Sequence, residues 1–262
     1  MKHGIIIPCY NEASRLNMKS FIDFAANYQD VLLCFVNDGS KDATRSALAD
    51  IRNDVSENVY TLNVEQNAGK ANAVREGALF LFEETDVDTV GFLDADLSTS
   101  FSDYQTLLHA YEDPANNLQI VFGSRNINTG GNNIERNPVR KLISDFIRML
   151  IITITKLNIK DTQCGAKVFD RHLIPLIYDS AFYSKWLFDV EILLRLKSAM
   201  GKMRFMEVFL EKPLNAWTHM EGSKLGMKDS IMIPFNLLKI WMEYDLKPMV
   251  RRLTNKNNYQ IG

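Results

Sequence analysis

This sequence predicts an α/β fold: a mostly parallel central sheet flanked by helices. Three observations carry the prediction. Five short apolar runs occupy the first half of the chain, helical segments separate them, and polar or acidic residues follow the runs directly. Continuous apolar strands suit a sheet covered on both faces. Strand–helix alternation calls for right-handed crossovers between parallel strands.

Taken in order, Gly4–Pro8 is the first run and ends at a turn signal. Ser14–Tyr28 then has helical composition. Val31–Val36 is the second run and leads into Asn37-Asp38-Gly39-Ser40. Ala43–Ile51 follows as a helix that Asp42 is placed to cap. Val59–Val64 is the third run, and the helix Lys70–Glu83 follows it. Val90–Leu93 is the fourth and ends at Asp94-Ala95-Asp96. A helix over Ser102–Tyr111 comes next, with Ser102 as its expected cap. Gln119–Phe122 is the fifth run and ends at Gly123-Ser124-Arg125.

In an open parallel sheet the C-terminal ends of the strands share one edge, and ligands bind in the crevice there. Asn11 with Glu12, Asp38, and Asp94 with Asp96 all follow apolar runs, so three acidic clusters are expected to converge on one site.

Bulk properties narrow the function classes. The 262 residues, 46% hydrophobic and 24% charged, fit one large α/β domain. A net charge of −2 gives no reason to expect a nucleic-acid partner. Cys9, Cys34 and Cys164 are too few and too far apart for a disulfide framework or a zinc site, and read as reduced thiols of a cytoplasmic protein. The four histidines show no ligand spacing. Ile5-Ile6-Ile7 is too short for a signal-peptide core. Leu142–Ile159 is interrupted by Asp145, Arg148 and Lys156, and Ile231–Trp241 is short and carries Pro234, so neither reads as a membrane span.

Three constellations can carry chemistry. The pair Asp94 and Asp96 at a strand end can hold Mg²⁺ or Mn²⁺ beside a diphosphate, since such ions take hard oxygen ligands and complete their shells with phosphate and water. Two acids at this spacing are also common in ordinary turns. Asp38 can accept hydrogen bonds from a nucleobase or ribose, or can simply serve a strand-to-helix loop. Lys70, after Gly69, can meet a phosphate or begin a helix; the spacing of a P-loop is absent. No Gly-x-Gly-x-x-Gly follows the first run, which argues against a dinucleotide-dependent oxidoreductase.

The order of these elements says more than any one of them. Ile7-Pro8-Cys9-Tyr10-Asn11-Glu12, Asn37-Asp38-Gly39-Ser40-Lys41-Asp42, Asn67-Ala68-Gly69-Lys70 and Asp94-Ala95-Asp96 resemble the successive motifs of family 2 glycosyltransferases, inverting enzymes of the GT-A fold. In the second half, Asp161-Thr162-Gln163-Cys164-Gly165-Ala166-Lys167, Phe188-Asp189-Val190-Glu191 and Glu221-Gly222-Ser223-Lys224-Leu225 resemble the polyprenyl-phosphate (dolichyl-phosphate) glucosyl- and mannosyltransferase branch. The resemblance reaches about residue 230. It implies a catalytic domain over 1–230 and an amphipathic helical segment over 231–262.

The resemblance also implies roles. Pro8, Tyr10 and Glu12 would line the nucleobase and ribose pocket, with Asp38 and Lys70 beside them. Asp94 and Asp96 would place a divalent metal on the diphosphate of a nucleotide-sugar donor, a UDP-hexose or GDP-hexose, with a UDP-sugar and glucose as the leading choice. Arg125 and Arg140 would grip an acceptor phosphate, a role that suits the guanidinium fork. Gln163 would border the donor sugar, and Cys164 reads as packing. Asp189 matches the aspartate that serves as general base in family members with hydroxyl acceptors, and the resemblance implies that role here if the acceptor is a hydroxyl. A phosphate acceptor needs no base because it is already anionic, and Asp189 would then orient substrate or neighbouring cations.

Two further expectations follow. The apolar positions of Leu142–Leu157 and Ile231–Trp241, with Lys247, Arg251 and Arg252 beyond, fit a membrane interface, the body of the domain, or a second copy of the chain. The leading function is hexose transfer to a polyprenyl phosphate on the cytoplasmic face of a membrane. The alternatives are transfer to a glycan hydroxyl and non-catalytic nucleotide-sugar binding.

Overall fold

The computed structural model describes residues 1–125, 138–218 and 227–246, with side chains from 1–125, 146–218 and 232–246. Its elements are β1 (His3–Cys9), α1 (Met18–Asn27), β2 (Val31–Asp38), α2 (Thr44–Asp54), β3 (Val59–Val64), α3 (Lys70–Glu84), β4 (Thr89–Leu93), α4 (Phe101–Glu112), β5 (Ile120–Ser124), α5 (Pro138–Thr155), β6 (Ala166–Asp170), α6 (Ile174–Tyr178), α7 (Phe188–Met200), α8 (Lys202–Val208), β7 (Phe209–Pro213) and α9 (Met227–Trp241). The strands form one sheet in the order β3-β2-β1-β4-β6-β5-β7.

The five runs seen in the sequence all become strands, and β1 pairs in parallel with both β2 and β4. β6 departs from the parallel pattern. It lies between β4 and β5 and runs antiparallel to both. This reversal matters for the site, because β6 begins at the edge where its neighbours end and so delivers residues 161–165 to that edge.

The strands read as continuous apolar runs because both sheet faces are covered. Ile6, Cys34 and Val36 face a core shared with α3, α6 and α7. Ile5, Ile7, Leu33 and Phe35 face the opposite core, shared with α1, α2 and α4. Each fully buried side chain of this size contributes roughly 1.5–3 kcal/mol. Gly77 in α3 lies so close to Ile6 and Val36 that a Cβ would overlap them, which is why this helix packs tightly on the sheet.

Three helix starts differ from expectation. α1 begins at Met18, not Ser14, and Asn17 caps it by accepting from the Ser20 amide. The preceding residues are held instead in a turn in which the amides of Arg15 and Leu16 donate to the Glu12 carbonyl. Ser100, not Ser102, caps α4 by accepting from the Asp103 amide. Asp42 lies one residue before the cap position of α2, and its carboxylate accepts from the Thr44 amide and hydroxyl and from the Ala13 amide.

The second half adds a three-helix layer. Ile151 of α5, Val190 and Leu194 of α7, and Ile233, Leu237 and Ile240 of α9 form a third apolar cluster. The inner face of α9 therefore packs on the domain. Phe146 and Met149 of α5 and Met232, Phe235 and Leu238 of α9 point outward instead, each 44–57% exposed. Among the described residues no helix is long and apolar enough to cross a membrane.

Candidate active site

A cleft of about 470 Å³ opens at the C-terminal edge of the sheet. It is lined by Pro8, Tyr10, Glu12, Asp38, Lys70, Asp94, Asp96, Arg125 and Gln163, so nine of the eleven residues singled out from the sequence meet in one place. Asp189 lies outside the lining. Arg140 sits in the first turn of α5, and its side chain is outside the described residues, as are His219 and the Glu221–Leu225 motif.

The loops after β1 and β2 are tied together. The Asn11 side chain accepts from the Lys41 amide at 2.8 Å, and the Asn11 amide donates to Ser40 Oγ at 2.9 Å. Asn11 adopts a left-handed φ of 49°, which turns the chain sharply into the cleft wall. The Arg15 guanidinium donates to both Glu12 carboxylate oxygens, one of them at 2.8 Å. Arg15 lines the cleft too, although nothing in the motif had marked it.

Asp38 is 2% exposed, and its carboxylate accepts from the amides of Ala68 and Gly69 at 2.9 and 2.8 Å. It thus pins the loop that starts α3. Each carboxylate oxygen retains acceptor capacity, so this structural duty is compatible with a base-binding one. Gly69, at φ 96°, lets the chain turn there; a Cβ would also press on Lys185. Lys70 emerges next, and its Nζ lies 2.5 Å from Asp94 Oδ1. Burial works to lower the Lys70 pKa, but Asp94, Asp189 and Asp96 outweigh it, so the pKa is raised and the ammonium is held charged.

Asp94 and Asp96 flank Ala95 at the end of β4. Asp96 Oδ1 accepts from the Ser98 amide at 2.9 Å. The Asp94 carboxylate lies directly over Gly165, where any Cβ would overlap it. The glycine of the Gln163-Cys164-Gly165 segment is therefore what admits this carboxylate to the cleft. Among the described residues no group of three or more His, Cys, Asp or Glu could hold a metal alone. Two hard-oxygen donors at the edge of this cleft fit Mg²⁺ or Mn²⁺ whose remaining ligands come from a diphosphate and water. Asp94 and Asp96 are the residues that would hold it.

On the opposite wall, Arg125 leaves the end of β5. Its Nε and Nη2 donate to the two oxygens of Asp161 at 2.7 and 2.8 Å, a bidentate pair. Asp161 also accepts from the Arg125 amide, and Glu211 of β7 accepts from the Asp161 amide at 2.7 Å. Burial works to raise the Asp161 pKa, but Arg125 outweighs it and holds the carboxyl below its usual value. The guanidinium also lies 5.6 Å from the ring centre of Trp217. Gln163 lines the cleft, and its Nε2 is buried without a hydrogen-bond partner among the described residues.

Behind the cleft, Asp189 occupies the first turn of α7 and is 5% exposed. Its Oδ1 lies 2.7 Å from Nζ of Lys167, which is fully buried; the contact is an ion pair by distance and is not aligned as a hydrogen bond. Burial raises the Asp189 pKa, while Lys167 and Lys70 pull it down. Glu191, two residues on, is also buried, and accepts from the amides of Tyr183 and Ser184 at 3.0 and 2.9 Å. It fixes the loop that places Trp186 at the cleft. Cys164 is fully buried, and burial raises its pKa, as suits a packing thiol.

The sequence reading missed Arg15, Trp186 and Trp217 in the lining, the service of Asp161 to Arg125, and Lys167. Lys167 had a visible signal: a lone lysine inside the apolar strand Ala166-Lys167-Val168-Phe169. The tryptophans had none, since loop aromatics reach the cleft only through tertiary packing.

Comparison with known proteins agrees with this geometry. Residues 4–175 match Glycosyl transferase family 2. The chain belongs to that family. It is 31% identical over 253 residues to a dolichyl-phosphate beta-glucosyltransferase of Trichomonas vaginalis, covering 93% of this chain and 74% of that protein. The Saccharomyces cerevisiae dolichyl-phosphate beta-glucosyltransferase is 31% identical over 267 residues, covering 92% of this chain and 74% of its own length. Glucosyl-3-phosphoglycerate synthase of Mycobacterium tuberculosis, in complex with uridine diphosphate, superposes with a TM-score of 0.65 at 18% identity, over 92% of this chain and 80% of that one. The same synthase with Mn²⁺, UDP-glucose and phosphoglyceric acid also gives 0.65, at 17% identity over 92% of this chain and 79% of that one. The fold of this family 2 enzyme is GT-A.

Proposed function

We propose that this enzyme transfers glucose, with inversion, from UDP-glucose to the phosphate of a polyprenyl phosphate. The choice of glucose and of a lipid phosphate draws on the near full-length similarity to dolichyl-phosphate beta-glucosyltransferases. The observation that favours a phosphate over a hydroxyl is the placement of Asp189. A hydroxyl acceptor needs a base at its proton. Asp189 is 5% exposed, outside the cleft lining and paired with Lys167. A phosphate, ionised at neutral pH with its second pKa near ~6, needs no such base.

The chemistry follows from the cleft. The uridine would lie against Pro8, Tyr10 and Glu12, with Asp38 at its base and Gln163 donating to the sugar. A phosphate oxygen of the acceptor, held by the Arg125 guanidinium on the edge not paired with Asp161, attacks the anomeric carbon from the face opposite the diphosphate. The new carbon–oxygen bond forms as the bond to the leaving UDP breaks, and configuration inverts through an oxocarbenium-like transition state. Lys70 carries a fixed positive charge toward the departing diphosphate. A divalent ion on Asp94 and Asp96, when bound, neutralises further charge on that leaving group. Most of the rate gain is positioning and electrostatics.

Contact with a membrane surface belongs to the same proposal. Phe146, Met149, Phe235 and Leu238 are exposed on α5 and α9, with exposed Arg148 and Lys239 nearby in sequence, a composition suited to the headgroup region. The test is transfer of labelled glucose to a short polyprenyl phosphate, with the product's anomeric configuration read by proton NMR. A β-linked glucosyl phosphate supports the proposal; an α-linked product, or transfer only to hydroxyl acceptors, overturns it.

A further inference from the structure

We infer that Lys167 is a positioning residue for glycosyl transfer: its buried ammonium joins the Cys164 carbonyl to the Asp189 carboxylate and so fixes the cleft wall formed by Gln163, Gly165 and Asp94. The inference rests on the family 2 transferase activity and not on the identity of the acceptor.

Lys167 stands in the middle of the sheet, in register with Phe92 of β4 and Phe122 of β5. Its side chain is fully buried. The Nζ lies 5.0 Å from the ring centre of Phe92, 4.7 Å from that of Phe122, 2.5 Å from the Cys164 carbonyl oxygen and 2.7 Å from Asp189 Oδ1. Its backbone is fixed as well, since the Tyr104 hydroxyl donates to the Lys167 carbonyl at 3.0 Å.

A buried ion pair is a poor device for stability alone, because desolvating two charges costs about as much as their attraction returns. Apolar residues would fill a site between two phenylalanines at least as well. What the ammonium does that a methyl group cannot is bind two groups from different elements. The Cys164 carbonyl belongs to the segment that carries Gln163 and Gly165, on which the Asp94 carboxylate rests. Asp189 belongs to α7 and is within electrostatic reach of Lys70, which pairs with Asp94. Charges therefore alternate from Lys167 to Asp189 to Lys70 to Asp94, from the core to the cleft.

The test compares wild type with Lys167→Met, Asp189→Asn and the double variant, by UDP release from UDP-glucose. Lys167→Met, of similar volume, should lower kcat by about 10–100-fold, as loss of an outer supporting partner does, with a smaller change in the donor KM. If Lys167 acts through Asp189, the double variant should match Asp189→Asn within about twofold, where independent residues would add. A folded Lys167→Met with wild-type kcat overturns the inference, and so does full additivity. If Lys167→Met does not fold, the double variant strands no buried carboxylate and the comparison with Asp189→Asn still decides. If wild type does not turn over UDP-glucose at all, the proposed donor fails. The inference is then read by amide hydrogen exchange: faster exchange across residues 163–165 in Lys167→Met supports it, and an unchanged pattern overturns it.

Discussion

Replacing Asp161 with asparagine tests how Arg125 is aimed. The guanidinium donates twice to Asp161, at 2.7 and 2.8 Å. Asparagine keeps the shape but turns one acceptor into a donor facing Arg125, and removes the charge. A hydrogen bond involving a charged group contributes about 1.5–3 kcal/mol. The Arg125 side chain is 32% exposed, and solvent screening reduces that to about 1–2 kcal/mol. For a chain of this size the melting temperature should fall by about 2–8 °C. The pH dependence has a definite sign. Arg125 holds the folded Asp161 pKa below its unfolded value against the upward pull of burial, so the pair stabilises the fold above the unfolded carboxyl range, near ~4. That contribution is lost as pH falls through the folded value. Wild type and Asp161→Asn should therefore differ in melting temperature at neutral pH and converge in acid. In transfer assays the acceptor KM should rise more than the donor KM. Equal melting temperatures across the pH range, together with an unchanged acceptor KM, would refute the account of Arg125.

Other outcomes follow from the same geometry. Gly165→Ala places a methyl group on the Asp94 carboxylate and should weaken metal-dependent UDP binding by about tenfold or more, read by calorimetry. Asp94→Asn and Asp96→Asn should each lower kcat by about 100-fold, and EDTA should do the same to wild type, with recovery on adding Mg²⁺ or Mn²⁺. Asp189→Asn should leave measurable transfer to a lipid phosphate, whereas a hydroxyl-acceptor enzyme would lose nearly all turnover with its base. A Phe235→Glu, Leu238→Glu double variant should lose binding to anionic vesicles in sedimentation while still releasing UDP from the donor with a soluble short-chain acceptor, since both residues are exposed on α9 and outside the cleft lining.

Much of the site could be read from the chain because parallel strands place their ends on one edge. Pro8 ends an apolar run, and Asp38, Asp94 and Arg125 each follow one; the runs are apolar because they are buried on both faces. The less legible parts depend on topology. Nothing local says that Ala166–Asp170 runs antiparallel between β4 and β5, yet that reversal is what brings Gln163 and Gly165 to the cleft. Helix starts also moved, because Asn17 and Ser100 competed better for amide donors than the residues chosen from pattern alone. Asp189 read equally well as a base or as a supporting charge, and only its burial against Lys167 distinguishes the two environments.

The most direct test of the central claim is the mass of the lipid product when the enzyme meets UDP-glucose, UDP-galactose, UDP-N-acetylglucosamine and GDP-mannose in turn, each with a polyprenyl phosphate and a divalent metal. The account predicts a hexosyl lipid phosphate from UDP-glucose and none when EDTA is present. A product formed from GDP-mannose alone, or UDP release with no sugar on the lipid, would contradict it.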